Sequence, residues 1–219
     1  MKIKEILQIN NPGLKDERSS DCVGYEYNDA IIPNHPHYHE TYFPLANKLY
    51  NTFPDAKYIL ELGCGAGNLA AHYRNLNHDV IYVTLDINAD IVHNGLINPD
   101  THFTVFTDRP YQLVEEDTNI KFDLILSYEH FEHIPEEKIN IFLNNIKNHC
   151  HSDTIIVATS AIITRDVHPI TWGKDKWNEI LNDNGFFLLN NTSFKILEPN
   201  ITPFNFQFNN SVELIFKLK

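Results

Sequence analysis

The sequence predicts an α/β protein built on a mostly parallel, doubly wound sheet that ends in an antiparallel strand pair. Three observations predict it. From residue 58 onward, short apolar runs alternate with amphipathic stretches; a glycine-rich turn joins the first run to a helix; and the last two runs have no helix pattern between them. Strands alternating with helices imply a parallel sheet covered on both faces, whereas two sequential strands without a crossover helix must pair antiparallel.

The elements follow in order. His39 to Phe53 reads as an amphipathic helix with Tyr42, Leu45, Ala46 and Leu49 inward. Tyr58–Leu62 is a first strand, and Asn68–Leu76 a short helix after the glycines. Val80–Asp86 and His102–Asp108 are strands closed by acids, separated by a short helix over Asp90–Leu96. Phe122–Ser127 and Thr154–Ser160 are two further near-continuous apolar strands, as expected where helices bury both faces. Between them, Pro135–His149 carries a proline near its start, Glu136 and Glu137 in its first turn, and Ile139, Phe142, Leu143 and Ile146 along one side. Asp175–Asn184 has Trp177, Ile180 and Leu181 on one stripe and Gly185 as its stop. Phe186–Leu189 and Val212–Leu218 are the closing pair.

At 219 residues the chain suits a single domain spanning 1–219, with residues 1–57 as an N-terminal lid or helix extension. Its formal charge of −12 weighs against a phosphate-backbone partner. No apolar run reaches the roughly 18–20 residues of a membrane span, and the N-terminus lacks the apolar core of a secretory signal. Three scattered cysteines make neither a disulfide framework nor a zinc site. A cytoplasmic protein without a membrane partner is expected.

The strongest local signal is Leu60-Glu61-Leu62-Gly63-Cys64-Gly65-Ala66-Gly67-Asn68. Here a strand must turn sharply into a helix while a ligand approaches the backbone, which glycine permits. A dinucleotide fingerprint places its third glycine one residue later than Gly67 and puts pyrophosphate at the helix start. Glu61 would repel a pyrophosphate and attract a cation. S-adenosylmethionine fits better, because it carries a sulfonium and an ammonium and no phosphate. Asp86, about 20 residues beyond the loop, is placed to accept from both ribose hydroxyls. Asp108 can receive the adenine amino group. Taken singly, either acid can also be a solvated loop residue or a helix cap.

These residues resemble the class I methyltransferase family over about residues 40–219. Glu61 to Gly67 is similar to its first motif, Asp86 to its second-strand acid, and Phe122-Asp123-Leu124-Ile125-Leu126-Ser127-Tyr128-Glu129-His130-Phe131-Glu132-His133-Ile134 to its fourth-strand motif. The resemblance implies a seven-stranded sheet of order 3-2-1-4-5-7-6 and S-adenosylmethionine as cofactor. It also implies that Glu61, Gly63, Gly65 and Gly67 hold the methionine moiety, Asp86 the ribose and Asp108 the adenine, with Ser127 flanking the methyl. The expected activity is O- or N-methylation of a small molecule. A cofactor-binding scaffold without catalysis and a nicotinamide oxidoreductase are the competing classes.

Methyl transfer needs a base only when the acceptor arrives protonated; otherwise positioning suffices. His133 and His168 are the candidate bases, His168 because it follows the fifth strand at the carboxyl edge where such sheets bind ligands. No metal is expected in this reading. An alternative set, Glu129, Glu132, His133 and His168, resembles the metal ligands of small-RNA 2′-O-methyltransferases and implies metal-assisted RNA methylation. His35-Pro36-His37-Tyr38-His39 reads as an extended segment with its imidazoles on one side, in a loop with the composition of a lid. The alternating phenylalanines of Thr202–Phe208 can line an apolar acceptor pocket, form a dimer contact or simply cover the sheet.

Overall fold

The computed structural model describes residues 8–9, 36–65, 67–87, 98, 100–115, 118–164, 168–189 and 211–219. The main sheet has seven strands: β1 (Tyr58–Leu62), β2 (Ile81–Asp86), β3 (His102–Thr104), β4 (Phe122–Ser127), β5 (Cys150–Ala161), β6 (Phe186–Leu188) and β7 (Ser211–Leu218). Their spatial order is β3-β2-β1-β4-β5-β7-β6, the order expected. Neighbours from β3 to β5 pair parallel, and β7 runs antiparallel to both β5 and β6.

Both faces of the sheet are buried, which is why its strands read as continuous apolar runs. Successive strand residues point to opposite faces. Leu60 and Leu62, Val83 and Leu85, Ile125, Ile156 and Ala158, Leu214 and Phe216 belong to one core. Ile59, Tyr82, Leu124 and Leu126, Val157 and Ile215 belong to the other. Helices α3 (Ile139–Asn148) and α4 (Lys174–Asp183) cover the first face with Phe142, Leu143, Ile146, Trp177 and Leu181. Helices α1 (Pro36–Thr52) and α2 (Asn68–Leu76) cover the second with Leu45, Ala46, Leu49, Leu69, Ala70 and Tyr73. Each such large side chain contributes about 1.5–3 kcal/mol by leaving water.

The structure departs from the sequence expectations at element ends. β3 stops at Thr104 instead of Asp108, because residues 107–109 turn: the Arg109 amide donates to the Phe106 carbonyl at 3.1 Å. The helix expected from Pro135 begins at Ile139. Pro135 is extended, and a separate turn of 3₁₀ helix spans Glu136–Lys138. β5 starts four residues early, at Cys150, through an irregularity facing Phe122–Leu124; there the Thr154 hydroxyl donates to the Phe122 carbonyl at 2.6 Å. Helix begins at Pro36, so the alternation expected of an extended His35–His39 segment does not apply. A small sheet of Gln8–Ile9, Leu113–Glu115 and Thr118–Asn119 was not legible in the sequence, its strands being too short to show a period.

The helix expected over Asp90–Leu96, most of the Asp21–His37 loop, the imidazoles of His35, His37 and His39, and the Thr202–Phe208 segment lie outside the described residues. Among the described residues, no helix is long and apolar enough to cross a membrane.

Candidate active site

The carboxyl ends of β1 to β5 share one edge, because those strands are parallel. The glycine turn leaves β1 there. Gly63, Gly65 and Gly67 all have positive φ, at 68°, 52° and 78°. The amides of Gly63 and Cys64 both donate to the Leu85 carbonyl, at 2.8 and 3.1 Å, so the turn is pinned to the end of β2. The Gly65 amide donates to Asp86 Oδ2 at 2.9 Å. One Asp86 oxygen therefore braces the loop, a structural duty that sequence reading did not assign.

Glu61 and Asp86 stand close at this edge. Glu61 lies opposite Thr84 in the β1–β2 register, two residues before Asp86. Burial raises Glu61 from 4.5 to about 8; a hydrogen bond from the Tyr82 hydroxyl at 2.9 Å and the nearby Arg74 charge pull the other way, and Asp86 adds to the rise. A carboxyl so placed stays protonated at neutral pH until a cation arrives beside it. A diphosphate would meet Glu61 and Asp86 instead of a cationic cradle. A Cβ on Gly65 would meet nothing within 4 Å, so the loop opens onto space at its middle glycine. An acid-lined, open glycine turn fits a cationic sulfur nucleoside. Cys64 is no nucleophile, since burial and the Asp86 and Glu61 charges push its thiol up.

Asp108 is buried in the 107–109 turn, and α3 fixes that turn. Asn145 Nδ2 donates to the carbonyls of Thr107 at 3.0 Å and Arg109 at 2.8 Å. Asn145 is 2% exposed. A buried polar residue on an apolar helix stripe is the one signal that could have marked it. Ser127 is also buried, its hydroxyl donating to the Leu62 carbonyl at 3.4 Å, beneath the start of the glycine turn.

A second group assembles beyond β4. Glu129 has φ of 49°, the one non-glycine with positive φ among the described residues, and such strain collects at functional sites. The chain then enters a 3₁₀ turn, Phe131–His133. Phe131 anchors this turn in the core, with its ring 4.8 Å from Phe142 and 5.3 Å from Trp177. Just after that anchor, Glu132 and His133 approach His168, and ligand atoms of the three lie within 4.8 Å of one another. Glu129, the fourth residue of the alternative metal set, is outside this group; its carboxyl hydrogen-bonds that of Glu132. Burial raises both carboxyls, and the Glu129 charge raises Glu132 further. Glu129 Oε1 and Glu132 Oε2 are buried without a hydrogen-bond partner.

The His168 tautomer follows from its contact. Its Nδ1 lies 3.0 Å from the Ile163 carbonyl, which can only accept, so Nδ1 carries the hydrogen. Nε2 of the neutral ring then presents a lone pair. The His133 ring stands edge-on to it at 4.9 Å. That arrangement can take a proton from an acceptor or ligate a metal ion.

A seven-stranded sheet of this order with an open, acid-flanked glycine turn defines a Rossmann-like methyltransferase fold. Residues 60–156 match the protein family described as a methyltransferase domain. No curated protein matches the chain's sequence. Among solved structures it is similar to DhpI in complex with SAH (TM-score 0.60, 13% identity, covering 95% of this chain and 98% of that one). It is also similar to an S-adenosylmethionine-dependent methyltransferase from Clostridium acetobutylicum (0.59, 11%, 81% and 92%). A third likeness is to the mitomycin 7-O-methyltransferase MmcR (0.57, 12%, 81% and 54%), of whose length this chain spans about half. At these identities the likenesses speak to fold alone, and the family match spans less than half of the chain. The fold is thus that of S-adenosylmethionine-dependent methyltransferases.

Proposed function

We propose that the protein transfers the methyl group of S-adenosylmethionine to an oxygen or nitrogen of a small-molecule acceptor. The observation that carries this reading is the convergence of the glycine turn, its acids and the Glu132–His133–His168 group on one sheet edge. In this reading Glu61 faces the donor's cationic methionine end, the turn of Gly63, Gly65 and Gly67 lies against it, and Gly65 leaves room. Asp86 holds the ribose with its remaining hydrogen-bonding capacity, Asp108 receives the adenine amino group, and Ser127 lies below the methyl.

When bound, the donor supplies an electrophilic methyl whose thioether leaves readily. The chain's own part is to align the acceptor and take its proton. His168 Nε2 receives that proton as the new bond to carbon forms and the carbon–sulfur bond breaks. His133 orients the acceptor beside it.

The mitomycin 7-O-methyltransferase named above acts on a small molecule, which supports the acceptor class. The charge of −12 weighs against nucleic acid. The free thiols of Cys64 and Cys150 suit a reducing, cytoplasmic setting. The reading takes the whole chain as one domain, with residues 1–57 as its N-terminal lid or helix extension. The test is transfer of labelled methyl to a panel of phenols, alcohols and amines. Turnover with one of them supports the reading, and cofactor binding with no transfer to any would indicate a scaffold.

A second reading is favoured by one observation: the two orphaned carboxyl oxygens beside paired imidazoles. A divalent ion there would be held by Glu132, His133 and His168, and would activate a hydroxyl, such as an RNA ribose 2′-OH, as a Lewis acid. If this holds, methyl transfer to a hydroxyl acceptor should rise with added Mg²⁺, Mn²⁺ or Co²⁺. EDTA and Glu132→Ala should each abolish that rise. Unchanged activity in both, with no metal by elemental analysis, ends the reading.

A further inference from the structure

The His130 side chain touches both halves of the cofactor cradle, and neither the family motif nor the charge pattern assigns it a task. On one side its ring fills the space above Gly63: a Cβ there would lie 2.5 Å from His130 Cγ and 2.6 Å from Nδ1. On the other side its Nε2 shares a 2.8 Å hydrogen bond with Thr107 Oγ1, next to Asp108. Its carbonyl accepts from the His133 amide at 3.0 Å, so it also starts the 3₁₀ turn. Phe142 closes the ring from behind, edge-on at 5.9 Å.

We propose that His130 is a positioning residue that sets the spacing between the glycine turn and the Asp108 turn, and so tunes the site to a ligand spanning both. The argument is geometric. The glycine turn is pinned to β2 through Leu85, and the Asp108 turn is pinned to α3 through Asn145. These anchors sit on different elements, and the His130 ring is the strut between the two turns. Packing against Gly63 fixes where the ring lies, and the bond to Thr107 transmits that position to the other side. Burial, with the neighbouring His133, holds the ring neutral, down to about 3, so the strut works by shape and one hydrogen bond, not by charge. The inference rests on the reading that these two turns hold S-adenosylmethionine.

The test compares a ligand that spans both turns with one that occupies a single side. Calorimetry on the full chain would measure S-adenosylhomocysteine and 5′-methylthioadenosine, which lacks the amino-acid end, against His130→Phe, Thr107→Val and the double variant. Losing the one hydrogen bond should weaken S-adenosylhomocysteine about 5–15-fold in either single variant. The double variant should be no weaker than either single, since both remove the same bond. Methylthioadenosine should bind all variants as it binds the wild type. Equal weakening of both ligands, additive effects, or unchanged S-adenosylhomocysteine affinity would overturn the proposal. Thr107→Val, which keeps the side-chain volume, decides the matter if His130→Phe does not fold. Absence of S-adenosylhomocysteine binding to the wild type would instead overturn the underlying reading.

Discussion

Replacing His168 by alanine is expected to lower the rate of methyl transfer to a hydroxyl acceptor by about 10²–10⁴-fold, the usual contribution of a positioned base. The affinity for S-adenosylhomocysteine should stay at its wild-type value. The split follows from geometry: His168 hangs from the segment after β5, held by the Ile163 carbonyl and packed against the His133 ring. An acceptor that arrives already deprotonated needs no base, so with a preformed phenolate the loss should shrink to the small cost of positioning. Single-turnover rates with one acceptor at two degrees of ionisation would measure this. An equal loss for both forms would assign His168 to orientation alone.

The second large effect concerns pH and Glu61. Its folded value of about 8 lies above its ordinary 4.5, so it favours the protonated state in the fold. The stability linked to that proton is present in full below about pH 4.5 and is lost as pH rises through 8. Each pH unit inside the window is worth about 1.4 kcal/mol at most, and about 3 kcal/mol in all is a reasonable size between pH 5 and 8. For a chain of this length that is roughly 6–12 °C in melting temperature. Glu129 and Glu132 push in the same direction, so the informative quantity is the difference from Glu61→Gln, which keeps the acceptor for the Tyr82 hydroxyl. The variant should melt higher than wild type near pH 8 and lose part of the pH slope. S-adenosylmethionine, by supplying a cation, should flatten the wild-type slope as well. Parallel curves for variant and wild type would show that Glu61 ionises freely.

Much of this architecture was legible in the sequence because two simple physical rules govern it. Strands buried on both faces must be continuously apolar, and β1, β2, β4 and β5 were read from that alone. A turn that needs positive φ three times in five residues must be glycine, which marked the candidate site. Where the rules compete, the reading slipped. His102–Asp108 is apolar enough to be all strand, yet Asn145 draws its second half into a turn by capturing two carbonyls, and nothing local announces a partner 36 and 38 residues away. The same limit hid His130, whose bond to Thr107 spans 23 residues, and the Thr84–His102 hydrogen bond of 2.9 Å at the end of β2. Glu132, His133 and His168 were singled out by residue type, and β4 and β5 being parallel neighbours is what brings them together. The resemblance to a metal set groups Glu129 with them, but the backbone reverses at its positive φ and leaves it one hydrogen bond removed.

The measurement that bears most directly on the site is calorimetric titration of the purified chain with S-adenosylmethionine, S-adenosylhomocysteine and NAD under one set of conditions. Both sulfur nucleosides should bind at one site per chain and compete with each other. Asp86→Ala should weaken both by about 10–100-fold, since it removes the ribose acceptor and the brace on Gly65 together. NAD should give no binding heat. Saturable binding of NAD with none of the sulfur nucleosides would mean that the turn after Glu61 cradles a diphosphate.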